Sequence, residues 1–340
     1  SCYVLADSYF ISIAKGADGL TALNLVMPLY SIIFSIGEMI GVGSAIRYAI
    51  SKIKKDADAD DYFWNAIIWC IMSSMIFVFA GIFFSSDIMR VLGADEHIVA
   101  VGNNYTKIFM CFAPMFMCNY VTNAFVRNDG APGIAMSATL FSSLFNIVFD
   151  YILMFPMNLG MEGAALATAL SPIIGMGICS IHFFSKKSSV RLVVCKPSVR
   201  KLVAGSQLGV SAFVGEMSSA VITLAFNFVI LKLTGNVGVA AYGVVANIAI
   251  VTTAVFNGVA QGSQPLISSC FGRGDKDGCT QLKRMGYTTA FVLAAVMYSI
   301  LFIFAEQFVA VFNSEGSEML RLYATEGVKL YFIGIFFAGI

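Results

Sequence analysis

Sixteen of the twenty acidic residues lie in polar connectors or at the ends of apolar runs, but Asp7, Glu38, Asp150 and Glu216 lie inside the runs. An acid placed mid-helix in a bilayer costs roughly 2.5–3.5 kcal/mol on insertion scales, so such residues mark ion or substrate paths by default. Neither lysine nor arginine sits in the centre of a run, so none of the four acids has an evident ion-pair partner. Each must therefore take a proton, a metal cation or a cationic substrate.

Asn146 and Asp150 are four residues apart, so on a helix they share one face, one turn apart. That spacing aims an amide and a carboxylate at the same neighbour. The next run opens with Gly163-Ala164-Ala165-Leu166-Ala167-Thr168, small residues that allow close helix approach, and Thr168 adds a hydroxyl. Carboxylate, amide and hydroxyl oxygens are hard donors that suit Na⁺ or a shared proton. The same residues also admit a structural reading, in which Asn146 and Thr168 join helices and Asp150 snorkels to an interface. His97 and His182 stand alone, and the eight cysteines form no C-x-x-C pair. A metal centre built on imidazole or thiolate is therefore not expected, and the cysteines read as packing residues.

The elements that must position these groups follow from composition. Hydrophobic residues make up 58% of the 340, charged residues only 12%, and the mean hydropathy is +0.82. Soluble chains hold roughly 45–50% and 25% respectively. So few charges cannot cover a water-facing surface, which excludes a soluble enzyme, a nucleic-acid binder and a secreted disulfide scaffold. Apolar runs at about 24–46, 62–84, 105–126, 133–155, 163–184, 205–231, 239–269 and 285–305 predict spanning helices, with a remnant to Ala14 and a further start from about 322. Alternate connectors fall on opposite sides. One side collects fifteen of the 21 basic residues, including Arg47, Lys52, Arg127, Arg273 and Lys283, and is read as cytoplasmic. The connector 185–201 alone holds six of them and predicts a boundary between an N-lobe (1–184) and a C-lobe (202–340).

The two lobes resemble each other at a constant offset of 219 residues. Gly16 matches Gly235, Ala22 matches Ala241, Gly43 matches Gly262, Ser44 matches Ser263, and Asp56 and Asp58 match Asp275 and Asp277. Six spans separate the copies, so both have the same orientation, a parallel repeat about an axis along the membrane normal. Six spans per lobe predict twelve in all, and the chain reads as truncated at both ends to about ten.

Several stretches carry a resemblance. These are Arg127-Asn128-Asp129-Gly130-Ala131-Pro132, Asn146-x-x-x-Asp150, Gly160-Met161-Glu162-Gly163-Ala164-Ala165-Leu166-Ala167-Thr168, Ala6-Asp7-Ser8-Tyr9-Phe10, and Gly262-Ser263-Gln264-Pro265-Leu266-Ile267 before Gly272. In order and spacing, along the whole chain, they resemble the MATE (multidrug and toxic compound extrusion) family of the bacterial type. The resemblance implies an all-α, two-lobe exporter in the cell membrane that exchanges H⁺ or Na⁺ for cationic, amphipathic small molecules, acts as a monomer and needs no cofactor beyond the coupling ion. It places Asp7, Asn146, Asp150 and Thr168 in an N-lobe cation site, which would also be the Na⁺ site, and makes Glu216 the C-lobe acid for substrate or proton. Glu38 receives no family role. Its repeat counterpart is Asn257, which favours helix packing.

Rival readings remain at this point. A lipid-linked sugar flippase of the same superfamily would want basic residues lining its cavity, and none lies at mid-span. A receptor or channel would not need a two-lobe repeat with paired buried acids. The 17 Met and 30 Phe suit either an adaptable cavity or ordinary lipid-facing and core positions. Pro114 and Pro172, inside predicted spans, are either hinges or tolerated kinks.

Overall fold

The computed structural model describes residues 2–312 and 318–338, and every regular element among them is helical. In chain order these are α1 (Cys2–Ile53), α2 (Asp61–Val91), α3 (Glu96–Cys111), α4 (Ala113–Asn128), α5 (Pro132–Met154), α6 (Gly160–Phe183), α7 (Val199–Arg273), α8 (Lys276–Ile303), α9 (Ala305–Phe312) and α10 (Glu318–Tyr331). A 3₁₀ turn (Phe332–Gly334) and a short α11 (Ile335–Ala338) follow. Among the described residues, six stretches are long and apolar enough to cross a membrane: Asp18–Ile53, Asp61–Val91, Pro132–Met154, Gly160–Phe183, Ala241–Arg273 and Lys276–Ile303. The bent pair α3 and α4 makes a seventh. The chain is a multi-pass, all-α membrane protein.

Local chemistry explains the breaks. The connector expected after Ala14 shrinks to a single residue, Gly16 (φ 60°, ψ −144°), a left-handed conformation that glycine adopts without a Cβ penalty. Asp95 caps α3 by accepting from the Ile98 N–H at 2.8 Å, and Asp275 caps α8 by accepting from the Gly278 N–H at 2.8 Å.

The two internal prolines behave differently. The predicted span 105–126 is not straight: it breaks by 45° between α3 and α4, where Pro114 follows Ala113. At Pro172, α6 continues. Proline withholds its N–H from the carbonyl four residues earlier, which for Pro172 belongs to Thr168. The Ser171 hydroxyl donates to that carbonyl at 3.0 Å, so the orphaned acceptor is satisfied and the helix survives. Ala113 has no hydroxyl to offer at the corresponding place.

The chain forms two compact units, residues 2–217 and 218–340. The first is built around a core of Ile11, Leu23, Ile33, Tyr48, Phe109 and Phe125, among others. Close approach is made with glycine. A Cβ on Gly163 would lie 2.8 Å from the Leu153 carbonyl carbon, which brings α6 against α5. A Cβ on Gly43 would overlap the Gly205 carbonyl oxygen, and one on Gly209 the Met39 carbonyl oxygen, so α1 and the start of α7 cross backbone to backbone. The second unit packs around Ala241, Val245, Phe256, Ala294, Val309 and Val328. It holds a half-open cavity of about 680 Å³, lined by Phe226, Tyr242, Thr252, Tyr323 and Tyr331 among others.

Candidate cation site

The site lies where α1, α3, α5 and α6 meet, with Gly163 letting α6 approach α5. α5 and α6 form the tightest pair, and α5 also packs on α1, which presents Asp7 from the segment before the Gly16 kink. α3 lies against both α1 and α6 and adds Tyr105. All five polar side chains are buried: Asp7 is 4% exposed, Thr168 2%, and Asn146, Asp150 and Tyr105 are fully enclosed.

Two hydrogen bonds run within this cluster. Asn146 Nδ2 donates to Thr168 Oγ1 at 3.1 Å, which turns the amide oxygen away from Thr168. Tyr105 donates its hydroxyl to Asp7 Oδ2 at 3.4 Å. Asp7 and Asp150 lie within electrostatic reach of each other. Four oxygens are left with no hydrogen-bond partner: Asp7 Oδ1, Asn146 Oδ1 and both oxygens of Asp150. Buried acceptors without donors are costly, by about 1–3 kcal/mol each and more for charged groups. Asp7 and Asp150 are thus electrostatic neighbours, and Asn146, one turn before Asp150 on α5, is tied to Thr168 of α6. Buried oxygens of this kind can take a cation or a proton.

The other two acids form a separate pair. Glu216, half-buried on α7, has Glu38 of α1 as an electrostatic neighbour, and Glu38 also faces Arg127 at the end of α4. Arg127 is itself buried, at 8% exposure. The sequence offers Glu38 no evident ion-pair partner; the structure makes Arg127, at the helix end where it is expected, an electrostatic neighbour of Glu38.

Tyr105 was missed, because a tyrosine inside an apolar run gives no polarity signal. Asp129 was also missed as a structural centre. Its Oδ2 accepts from His182 Nε2 at 2.8 Å, the Ser189 N–H at 2.8 Å and Ser188 Oγ at 3.2 Å, and its Oδ1 accepts from Tyr48 at 3.1 Å. Asp129 and His182 side chains are 3% and 4% exposed. Among the described residues, groups of three or more His, Cys, Asp or Glu able to hold a metal ion are absent.

Comparison with known proteins agrees with this architecture. The MatE family profile matches residues 1–152 and 212–340, and the chain belongs to that family. Among curated proteins it is similar to the multidrug export protein MepA of Staphylococcus aureus (strain MRSA252), 28% identical over 327 residues, covering 95% of this chain and 70% of that one. MepA of Staphylococcus saprophyticus is 26% identical over 351 residues, covering 99% and 76%. Among solved structures, a MOP superfamily transporter from Pyrococcus furiosus superposes with a TM-score of 0.88 at 21% identity, covering 98% of this chain and 75% of that one. A multidrug resistance MATE family transporter in an outward-facing conformation gives the same TM-score, identity and coverage. These structures share the fold.

Proposed function

We propose that the protein is a secondary active multidrug exporter of the cell membrane, driven by inward movement of H⁺ or Na⁺ through the Asp7–Asn146–Asp150–Thr168 cluster. Family membership and the multidrug export proteins among its relatives support the exporter reading. The observation that carries the coupling assignment is that four buried oxygens on α1 and α5 have no donor while Asp7 and Asp150 are electrostatic neighbours. Two neighbouring carboxylates in a dry site repel each other when both are ionised. A cation arriving from outside removes that repulsion, lets α1 and α5 close on each other, and expels the substrate. The lobes then expose the site to the cytoplasm and the cation leaves. The substrates are small, cationic amphipathic molecules, since the buried ionisable groups of the site are acids. Glu216 serves as a second acidic group for substrate or proton, the protein works as a monomer, and it uses no cofactor beyond the coupling ion.

The test is efflux of ethidium from cells expressing the intact protein, comparing Asp7→Asn and Asp150→Asn with the parent. Both substitutions should reduce gradient-driven efflux at least tenfold. Undiminished efflux in both variants overturns the assignment. Imposing a pH gradient or a Na⁺ gradient alone identifies the ion.

A further inference from the structure

Tyr105 has a single hydroxyl proton and two acceptors within reach. One is Asp7 Oδ2; the other is the hydroxyl of Tyr30 on α1, to which the Tyr105 hydroxyl is hydrogen-bonded. We infer that Tyr30 is a positioning residue for the cation site: it donates to the Tyr105 oxygen while the Tyr105 proton faces an empty Asp7, and it accepts that proton once Asp7 is filled. The inference rests on the reading of Asp7 as part of the coupling site.

The packing holds Tyr30 in the required place. Its ring stacks on Phe109 with centroids 3.6 Å apart and planes 17° apart, and Phe109 lies one turn beyond Tyr105 on α3. Phe34, one turn beyond Tyr30 on α1, meets Tyr30 edge-on at 5.6 Å and Phe109 at 6.3 Å. The pair Tyr30 and Phe34 thus meshes with the pair Tyr105 and Phe109, and both phenols are buried, at 7% and 0% exposure. The ionisable groups facing Tyr105 are Asp7, Tyr30 and Asp150.

A hydroxyl can accept while it donates, so the order Tyr30→Tyr105→Asp7 satisfies an ionised Asp7. Once Asp7 holds a proton or a metal cation it no longer needs that donor, and Tyr105 is free to turn its proton to Tyr30. The direction of one hydrogen bond then reports the state of Asp7, which lies before the Gly16 kink, to the long part of α1 beyond it. Removing the Tyr30 hydroxyl still leaves Asp7 as an acceptor for the Tyr105 proton, but takes away the acceptor to which Tyr105 turns once Asp7 is filled. The filled site then holds a buried phenol proton without that acceptor and loses more than the empty site, so the coupling cation binds more weakly and leaves faster.

The experiment uses the intact protein in proteoliposomes, with ethidium as substrate and the coupling cation titrated on one side. Tyr30→Phe keeps the ring stack and is expected to raise the half-saturating cation concentration three- to tenfold, leaving that for ethidium unchanged. Tyr105→Phe removes the donor to the empty Asp7 and should move it in the opposite direction, and adding Tyr30→Phe to Tyr105→Phe should change nothing more. Phe34→Leu disturbs the same packing without touching a hydroxyl; it should lower the unfolding temperature while leaving cation dependence at the parent value. An unshifted Tyr30→Phe, a Phe34→Leu shift equal to it, or additive effects of the two phenol substitutions overturns the proposal. If Asp7→Asn abolishes cation dependence while Tyr30→Phe is silent, the coupling site stands and only the role of Tyr30 falls.

Discussion

Asp129 and Asp150 are both buried carboxylates in the first compact unit, yet their surroundings are opposite. Asp129 sits where α4 ends and receives four donors from α1, α6 and the 185–201 connector. Asp150 sits inside α5 and receives none. A carboxylate whose lone pairs are filled by the protein is part of the scaffold, because any change of its charge breaks several bonds at once. A carboxylate kept dry and unfilled does little for the fold and is free to change state. Burial alone does not separate them. The supply of donors does.

The largest effect should come from exchanging what each carboxylate does. Asp150→Asn is expected to lower gradient-driven ethidium efflux at least tenfold while leaving thermal unfolding in detergent unchanged or raised, since neither oxygen of the carboxyl it replaces has a hydrogen bond to lose. Asp129→Asn should do the reverse in kind. Its amide nitrogen would face donors, and the cost is about 2–3 kcal/mol of stability. The comparison breaks if Asp150→Asn destabilises as much as Asp129→Asn, or if Asp129→Asn unfolds at the parent temperature.

A smaller step isolates one donor. Tyr48→Phe removes the bond to Asp129 Oδ1 and nothing else from that carboxylate, and should cost about 1 kcal/mol, read as a modest fall in unfolding temperature with efflux retained. An effect as large as that of Asp129→Asn would mean that the four bonds do not share the load.

How far these regions were legible from the amino-acid order depends on whether the physics is local. The i,i+4 spacing of Asn146 and Asp150 is a property of one helix, and it was readable. Thr168 and Asp7 were placed by resemblance, because the four-helix meeting that unites them is a tertiary fact. The contrast between Pro114 and Pro172 was written in the preceding residues, Ala113 and Ser171, but only the hydroxyl's observed bond to the Thr168 carbonyl makes the reason visible. Arg127 looked like a topological charge, and only packing shows it turned inward towards Glu38. Tyr30 and Tyr105 carried no local signal, since each is an aromatic residue in an apolar run until the two hydroxyls meet. The basic connector 185–201 reads, from its sequence, as an orientation signal and a lobe boundary. Its backbone is in fact tied down by side chains: Asn65 Oδ1 accepts from the Ser198 N–H at 2.6 Å and Asp60 Oδ1 from the Arg191 N–H at 3.2 Å.

The smallest effect belongs to the exposed end of that same connector, and it tests whether solvent exposure erases the distinction drawn for Asp129. Lys201 Nζ lies 2.9 Å from Asp58 and 2.5 Å from Asp61, with the Asp58 side chain 61% exposed. The hydrogen bond from Lys201 holds the Asp58 carboxyl below its ordinary value of 3.8. A carboxyl lowered in the folded state adds stability that is complete above the unfolded value and is lost as pH falls through the folded one. The contribution of this pair should therefore be constant at neutral pH and fade only below about pH 4. Exposed ion pairs are screened and contribute about 0–1 kcal/mol, so the loss should be small and confined to the connector. Amide exchange at Ser198–Lys201 should quicken on acidification in the parent and be insensitive to pH, after correction for intrinsic exchange, in Asp58→Asn with Asp61→Asn. Quickening that extends to Ser188 and Ser189 in the same pH range would instead tie this end of the connector to the Asp129 cluster, and the two carboxylate environments on this face would have to be treated as one.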